Sequence, residues 1–563
     1  MTERGPDASS PGDEAGPPEL VVAPTVDGLA TALTHMPSRL RATAPERSHP
    51  AVRPHPPLVT VDPDAAETTV PGSLAAARPD TEVHLALPAD REHLFVAAPL
   101  AYYLGAAVSV GADQPRLSTP GGEYDLDPLP AFQHEAAALL RDVFTLDALV
   151  RDLSGEGRAC RVDLVTDLGL CPAGLRGSSP GVRLDAYLGV DRDRLAGKRP
   201  EWHLSTYADP TDEALRCLPF LLDALSLVYL PESSDIDEQG LLRYSLDDFY
   251  RCPPGGRVAS VDVVEPTLHS GELHAWLAEG VPVSAFTLRP AAFEHRRAAP
   301  PPDGELAVAV VLNDGSMAGE HDVVADTYRK RAEGLPASVS LYESLRADEL
   351  ADLLETPHDF VHYIGHCEVD GLRCPDGSLD CASLSTSGAR TFFLNACGSF
   401  HQGRTLVDAG SIAGAVTLRT VLNEQAATVG TTFARLLMRG FGIERAMQLA
   451  RRQIMMSTDY TVVGDGTFSL TDAEPSVLKV EPLGQDGGND EEAAYAVTYT
   501  VPADGWPGGS YRAPFEDCRR LRGTTVETTL NAPQVRDLLE ERWMPVVHDG
   551  SLHWSDEFLV NFT

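Results

Sequence analysis

Between residues 305 and 456 the chain alternates short, largely apolar runs with segments of helical period, a pattern that few folds accept. The runs are ELAVAVVLND (305–314), SVSLYES (338–344), DFVHYIGH (359–366), ARTFFLNAC (389–397) and SIAGAVTLR (411–419). A strand that is apolar at nearly every position is buried on both faces, as in a parallel sheet covered by helices on both sides. HDVVADTYRKRAEGL (321–335), ADELADLLE (347–355), TVGTTFARLLMRG (428–440) and GIERAMQLARRQIMM (442–456) supply the helices. The expectation is an α/β domain over residues 257–474 with a mostly parallel sheet flanked by helices.

At 563 residues the chain is too long for one ordinary core, and the remainder divides by composition. Residues 1–18 are rich in Pro, Gly, Asp and Glu and are expected to be a disordered tail. Residues 19–256 read as an α/β region that carries no chemical motif. EVHLALP (82–88) is strand-like there, HLFVAAPLAYYLGAAV (93–108) is a buried helix with a glycine turn, and residues 131–153 and 212–230 have helical spacing. Residues 475–563 read as a small β-rich appendage: AYAVTYTV (494–501) alternates, and Asp549-Gly550 sits where a two-residue hairpin turn belongs.

Charge excludes some functions. Asp and Glu total 83 against 45 Lys and Arg, a net −38, which repels nucleic acid and anionic membranes. Only Lys198, Lys330 and Lys479 among the 45 basic residues are lysines, so nearly every cation is arginine. This acid-rich, lysine-poor balance resembles haloarchaeal proteomes, whose cytoplasm holds molar salt. The acidity then reads as solvation, because the Debye length falls to about 3 Å at 1 M salt. No run of about 18 apolar residues and no signal-like N-terminal segment is present, so a cytoplasmic protein without membrane insertion is expected.

The nine cysteines form no C-x-x-C pair and suggest no disulfide framework. Cys367, Cys374, Cys381 and Cys397 cluster with His362, His366 and His401, but at spacings of seven, seven and sixteen, unlike the tight ligand pairs of structural zinc sites. No metal and no cofactor is expected.

His366 and Cys397 carry the chemical signal. His366 ends one apolar run and Cys397 ends a run read as the neighbouring strand, so both emerge at one edge of the sheet, where open α/β sheets bind ligands. A histidine beside a cysteine activates the thiolate and returns the proton to a leaving amine. Gly398 and Ser399 are small enough for backbone N–H groups to approach a developing oxyanion. Other residues have plainer readings: His362 as a core histidine, His401 as a loop residue, and Asp465-Gly466 as a turn. Arg451-Arg452 reads as a solvated helix end and the acidic run Asp486 to Glu492 as a loop.

VHYIGHCEVDGLRCPDGSLDCASLSTSGARTFFLNACGSF (361–400) resembles the core of the CHAT proteases, in the clan that includes caspases and separase. The aromatic-x-Gly-His signature corresponds to Tyr363-Ile364-Gly365-His366, and Leu-x-Ala-Cys to Leu394-Asn395-Ala396-Cys397. Gly371-Leu372, Asp376 to Leu379, Gly410 to Ala413, Leu437 to Gly440, and Ala446 with Ala450-Arg451 follow the family order.

The resemblance implies a caspase-like fold and a cysteine endopeptidase with His366 and Cys397 as its dyad. It implies a protein substrate, regulation, and a role in defence or cell death, with products of neighbouring genes as candidate partners. It places the oxyanion backbone at Cys367 and Gly398 and a substrate pocket at Asn423 and Glu424, in the loop from Arg419 to Gln425. Glu424 favours cleavage after a basic residue if it faces the pocket, Asn423 a small or apolar residue if it does not, and an inward Arg419 would select an acidic residue. The family usually has Gly where this chain has Cys367, and often an acidic residue where it has Gly398. A catalytically inactive scaffold of the same fold and a zinc-stabilised binding module are the rival readings.

Overall fold

The computed structural model describes residues 16–152, 162–195, 199–235, 261–300, 305–313, 337–418, 423–452, 460–483, 494–504 and 507–562. The chain forms two compact units. One comprises Met1–Arg199, Asp209–Leu230 and Pro507–Gly509; the other comprises Pro200–Ala208, Pro231–Trp506 and Ser510–Thr563.

In the first unit, Ala107–Val110, His84–Leu87, Arg116–Thr119 and Gly122–Asp125 form a four-stranded sheet in that order. The run 93–108 becomes the helix Arg91–Leu104, which stops at Gly105 in the left-handed conformation (φ 66°). Residues 131–153 form the single helix Ala131–Asp152. Its fully buried Asp147 is held by Arg47 Nε (2.7 Å), Arg183 Nε (3.0 Å), Tyr187 (3.0 Å) and Tyr103 (3.1 Å), so the charge is paired and hydrogen-bonded. The stretch 212–230 departs from the expectation. The helix Asp212–Asp223 ends before Leu225, whose φ is +48°, and Leu227–Tyr229 continues as a strand.

The second unit is built on a large, mostly parallel sheet. Its strands are β1 (Leu204–Ala208), β2 (Leu273–Leu277), β3 (Phe286–Thr287), β4 (Leu306–Leu312), β5 (Ala337–Glu343), β6 (His358–Ile364), β7 (Ala389–Asn395), β8 (Ala413–Thr417) and β9 (Tyr460–Gly464). They run in the order β5-β4-β6-β7-β8-β9-β3-β2-β1. Every pairing is parallel except β8 with β9, where Thr417 faces Tyr460 and Ala413 faces Gly464.

The five apolar runs of the sequence are β4 to β8. Strand β1 comes from before residue 257, so the sheet draws on that stretch as well.

Both faces of the sheet are covered, which is why its strands are apolar throughout. On one face Ala309, Val311, Val361, Tyr363, Phe392, Leu394 and Val416 pack with Leu350, Leu353 and Leu354 of helix α1 (Ala347–Glu355) and Leu406 and Val407 of α2 (Phe400–Ala409). On the other face Phe360 and Phe393 meet Phe433 of α3 (Asn423–Leu437) at 6.0 and 5.5 Å between ring centres. Helix α4 (Ile443–Arg451) completes the set. The helix expected over 321–335 and the end of the one over 442–456 lie outside the described residues, as does the acidic run 486–492.

The C-terminal segment forms a five-stranded sheet: Thr525–Asn531, Ala494–Thr500, Val477–Pro482, Pro545–His548 and Ser551–Trp554, in that order. Helices Ala532–Glu541 and Ser555–Asn561 accompany it. Its last hairpin turns at Asp549 and Gly550, both at positive φ (47° and 77°), as a two-residue turn of the primed type requires. Cys518 is disulfide-bonded, which spacing in the sequence did not reveal, because pairing depends on Cα proximity in the fold. Among the described residues no helix is long and apolar enough to cross a membrane.

Candidate active site

The carboxyl ends of β4, β6, β7 and β8 converge on one edge of the sheet. Strands β6 and β7 pair in parallel with Tyr363 opposite Leu394 and Ile364 opposite Asn395, and Gly365 N donates to Asn395 O at 3.4 Å. His366 and Cys397 each lie two residues beyond the last paired position, on adjacent strands that such sheets space about 4.8 Å apart. Both residues are half-buried, so each has a face towards solvent.

Local contacts hold each strand end. The hydroxyl of Tyr363 reaches the carbonyls of Arg373 (2.7 Å) and His366 (3.2 Å), and Arg373 N donates to His366 O at 2.9 Å. His366 is thereby tied to the antiparallel strands Cys367–Glu368, Gly371–Cys374 and Gly377–Leu379. Asp376, at the turn of that meander, accepts from Ala347 N at 2.9 Å and so caps α1. After Cys397, Gly398 takes φ 66°, a conformation that a side chain would strain, and Ser399 is the N-cap position of α2. Ser399 Oγ donates to Leu394 O (2.8 Å) and accepts from Thr417 N (3.1 Å), while the Thr417 hydroxyl donates to Ala396 O. The cysteine turn is bracketed by bonds to β7 and to β8.

Cys367 opens a short strand, a backbone conformation any residue adopts, so its Cβ adds no strain where the family pattern has glycine. Its side chain is buried, and burial together with the neighbouring Cys397 pushes the thiol up to about 12. Burial likewise raises Cys374 to about 11 and raises Cys381 further. These three thiols pack in the apolar core and stay protonated at neutral pH. Among the described residues no group of three or more His, Cys, Asp or Glu could hold a metal ion.

His362 is fully buried and stacked on Phe393 (5.0 Å, 15°), and burial lowers its pKa to about 3, which makes it a neutral core residue. Gly430 of α3 lies over it, where a Cβ would come within 2.2 Å of His362 Cε1. His401 stands in the first turn of α2 rather than in a loop, because α2 begins directly after the cysteine turn. Asn423 and Glu424 open α3, and their side chains lie outside the described residues, as do Arg419 to Leu422. Arg452 is exposed as expected of a helix end, whereas Arg451 turns inward, with its Nε fully buried.

Sequence reading missed Asn313, at the end of β4. Its Nδ2 donates to Leu345 O (3.0 Å) and Arg373 O (3.3 Å), and its Oδ1 accepts from Leu345 N (2.7 Å). One amide thus ties three segments around the His366 turn, and an Asn closing an apolar run was the available signal. Asn313→Ala removes the side-chain partner of Leu345 N and O, while Arg373 O keeps the Tyr363 hydroxyl, and should cost about 1–3 kcal/mol. Thermal denaturation should show a loss of about 2–4 °C per kcal/mol; an unchanged midpoint would refute this role.

No protein-family model and no curated protein matches the chain. Solved structures give distant likenesses. The separase–securin complex of Saccharomyces cerevisiae matches at 12% identity and TM-score 0.27, over 35% of this chain and 16% of that one. The Arg-specific cysteine proteinase gingipain R matches at 10% identity and TM-score 0.32, over 59% of this chain and 98% of that one. A complex of the Porphyromonas gingivalis gingipain pro- and mature domains matches at 11% identity and TM-score 0.29, over 46% and 77%.

Proposed function

We propose that the second unit is a cysteine endopeptidase of the CHAT type, with Cys397 as nucleophile and His366 as its base and acid. The observation that carries this reading is the parallel register of β6 and β7, which sets the two residues equally far beyond paired strand ends. The motif resemblance over residues 361–400 points to the same pair.

In the proposed reaction His366 takes the thiol proton and Cys397 attacks the peptide carbonyl, giving a tetrahedral oxyanion. Backbone N–H groups at Cys367 and Gly398 are its stabilising donors. His366 returns the proton to the departing amine, leaving a thioester on Cys397. Water, deprotonated by His366, then hydrolyses the thioester and restores the thiol. No metal or cofactor enters the scheme, and the substrate is a protein.

An electrophilic peptide probe tests this, applied to the full chain in molar salt at pH 7.5 and read by mass spectrometry of digested protein. Modification of Cys397 is expected, with Cys367, Cys374 and Cys381 spared because their raised pKa values keep them as buried thiols. His366→Ala should lose the modification. A probe that leaves Cys397 untouched while iodoacetamide alkylates the exposed Cys171 would favour the inactive scaffold instead.

A further inference from the structure

Cys367 stands beside the proposed base where the CHAT pattern has glycine, and its thiol has no part in the dyad chemistry. The fold brings it to Cys397. Strands β6 and β7 run in parallel with Ile364 opposite Asn395, and the Gly365 N–H carries the pairing one residue further. Continued by two residues, that register sets His366 level with Cys397 and Cys367 one residue along. With strands about 4.8 Å apart and a rise of about 3.3 Å per residue, the Cα atoms of Cys367 and Cys397 come about 6 Å apart. Disulfides span Cα separations of about 4.4–6.8 Å.

The packing around the pair agrees with this separation. Cys367 is 4% exposed and belongs to the apolar cluster that also holds Ala396 and Phe400, which lie on either side of Cys397 in the chain. Cys397 is half-buried, so one face of it meets solvent. Both residues are thiols in this structure. Burial first, and then the charge of Cys397, keep the Cys367 sulfur protonated, so the two sulfurs sense each other. An oxidant arriving from solution therefore meets Cys397 first, with a protected thiol next to it.

We propose that Cys397 and Cys367 form a reversible disulfide when a peroxide oxidises the site, a modification that switches the nucleophile off and shields it from further oxidation. This rests on the protease reading above, because His366 is what makes Cys397 the reactive thiolate. The thiolate attacks one peroxide oxygen, the O–O bond breaks, and the other oxygen leaves with the proton that His366 held. Cys397 is then a sulfenic acid, its sulfur oxidised by two electrons and the peroxide reduced by two. The Cys367 sulfur attacks the Cys397 sulfur next: the S–S bond forms, the S–O bond breaks, and the departing hydroxide takes the Cys367 proton and leaves as water. A dithiol restores both thiols by exchange. Without Cys367 the sulfenic acid meets a second peroxide and becomes a sulfinic acid, which a dithiol does not reverse.

The test treats the full chain, in molar salt, with hydrogen peroxide, alkylates the remaining thiols after denaturation and maps disulfides by mass spectrometry of an unreduced digest. A Cys367–Cys397 linkage is expected, with Cys374 and Cys381 alkylated. Labelling of Cys397 by the electrophilic probe should be lost on oxidation and return with dithiothreitol. Cys367→Ser and Cys367→Ala should instead accumulate sulfinic acid at Cys397, read from its mass, and recover no labelling. The wild-type map involves no substitution, so its outcome is independent of how the variants fold. Sulfinic acid on Cys397 beside an alkylated Cys367 in wild type overturns the proposal, as does a Cys397 that peroxide leaves untouched or links to another cysteine. Linkage without peptide hydrolysis by the reduced wild type supports the disulfide and overturns the protease reading alone; hydrolysis without linkage overturns the disulfide alone.

Discussion

Cys397→Ala is expected to lower peptide-bond hydrolysis by about 10⁴-fold or more, and His366→Ala by a similar factor. The double variant should be no slower than either single one. Nucleophile and base act as one unit, so removing the second member costs little once the first is gone. The physical basis is the parallel pairing of β6 and β7, which brings His366 and Cys397 to one sheet edge. Both variants should keep the wild-type melting temperature within a few degrees, since the two side chains are half-exposed and their turns are held by Tyr363, Ser399 and Thr417. Full cleavage by Cys397→Ala would sink the assignment. Losses that multiply in the double variant would show that the two residues act separately.

Transfer from 1 M to about 0.01 M salt should lower the melting temperature by about 10 °C or more. The chain carries a net charge of −38 on an accessible surface of 25,210 Å². At 1 M salt the Debye length is about 3 Å, so only near neighbours repel; at 0.01 M it is about 30 Å, and most of the surface carboxylates interact. The paired acids, such as Asp147 with Arg47 and Arg183, are buried and little screened, so they do not offset the change. A repulsion of several kcal/mol converts to a shift of that size at about 2–4 °C per kcal/mol. A midpoint that stays flat between the two salt levels would contradict the halophilic reading and leave the acidity without this explanation.

Strands β4 to β8 were legible because burial on both faces forces a continuous apolar run, and that pattern survives without knowledge of the partner strands. That β6 and β7 are neighbours was legible, but an antiparallel meander rather than a helix joins them, and β5 pairs on the outer side of β4, so the full order is a property of the fold. Positions 366 and 397 were legible for the same reason: chain direction in a parallel sheet puts successive strand ends at one edge. Strand β1 gave no such signal. Leu204–Ala208 reads LSTYA, and Ser205 and Thr206 are fully buried polar residues whose place in the core comes from neighbours distant in sequence. Strand β9 is similar, because its antiparallel entry between β8 and β3 depends on where the chain returns after α4.

From its sequence alone the protein declares an α/β sheet buried on both faces, a histidine and a cysteine at adjacent strand ends, and a heavily acidic surface. These follow from periodicity, chain direction and composition, which are properties of short segments or of the whole count. The tertiary structure alone decided which polar residues turn inward. Glu444 and Arg451 look like ordinary members of a charged helix, and Asn313 like the end of a strand. Whether such a group faces water or a cavity depends on separate elements closing over it, as Ser284, Leu418 and Tyr460 close over α4. Burial is a property of the assembled neighbours, and no local pattern encodes it.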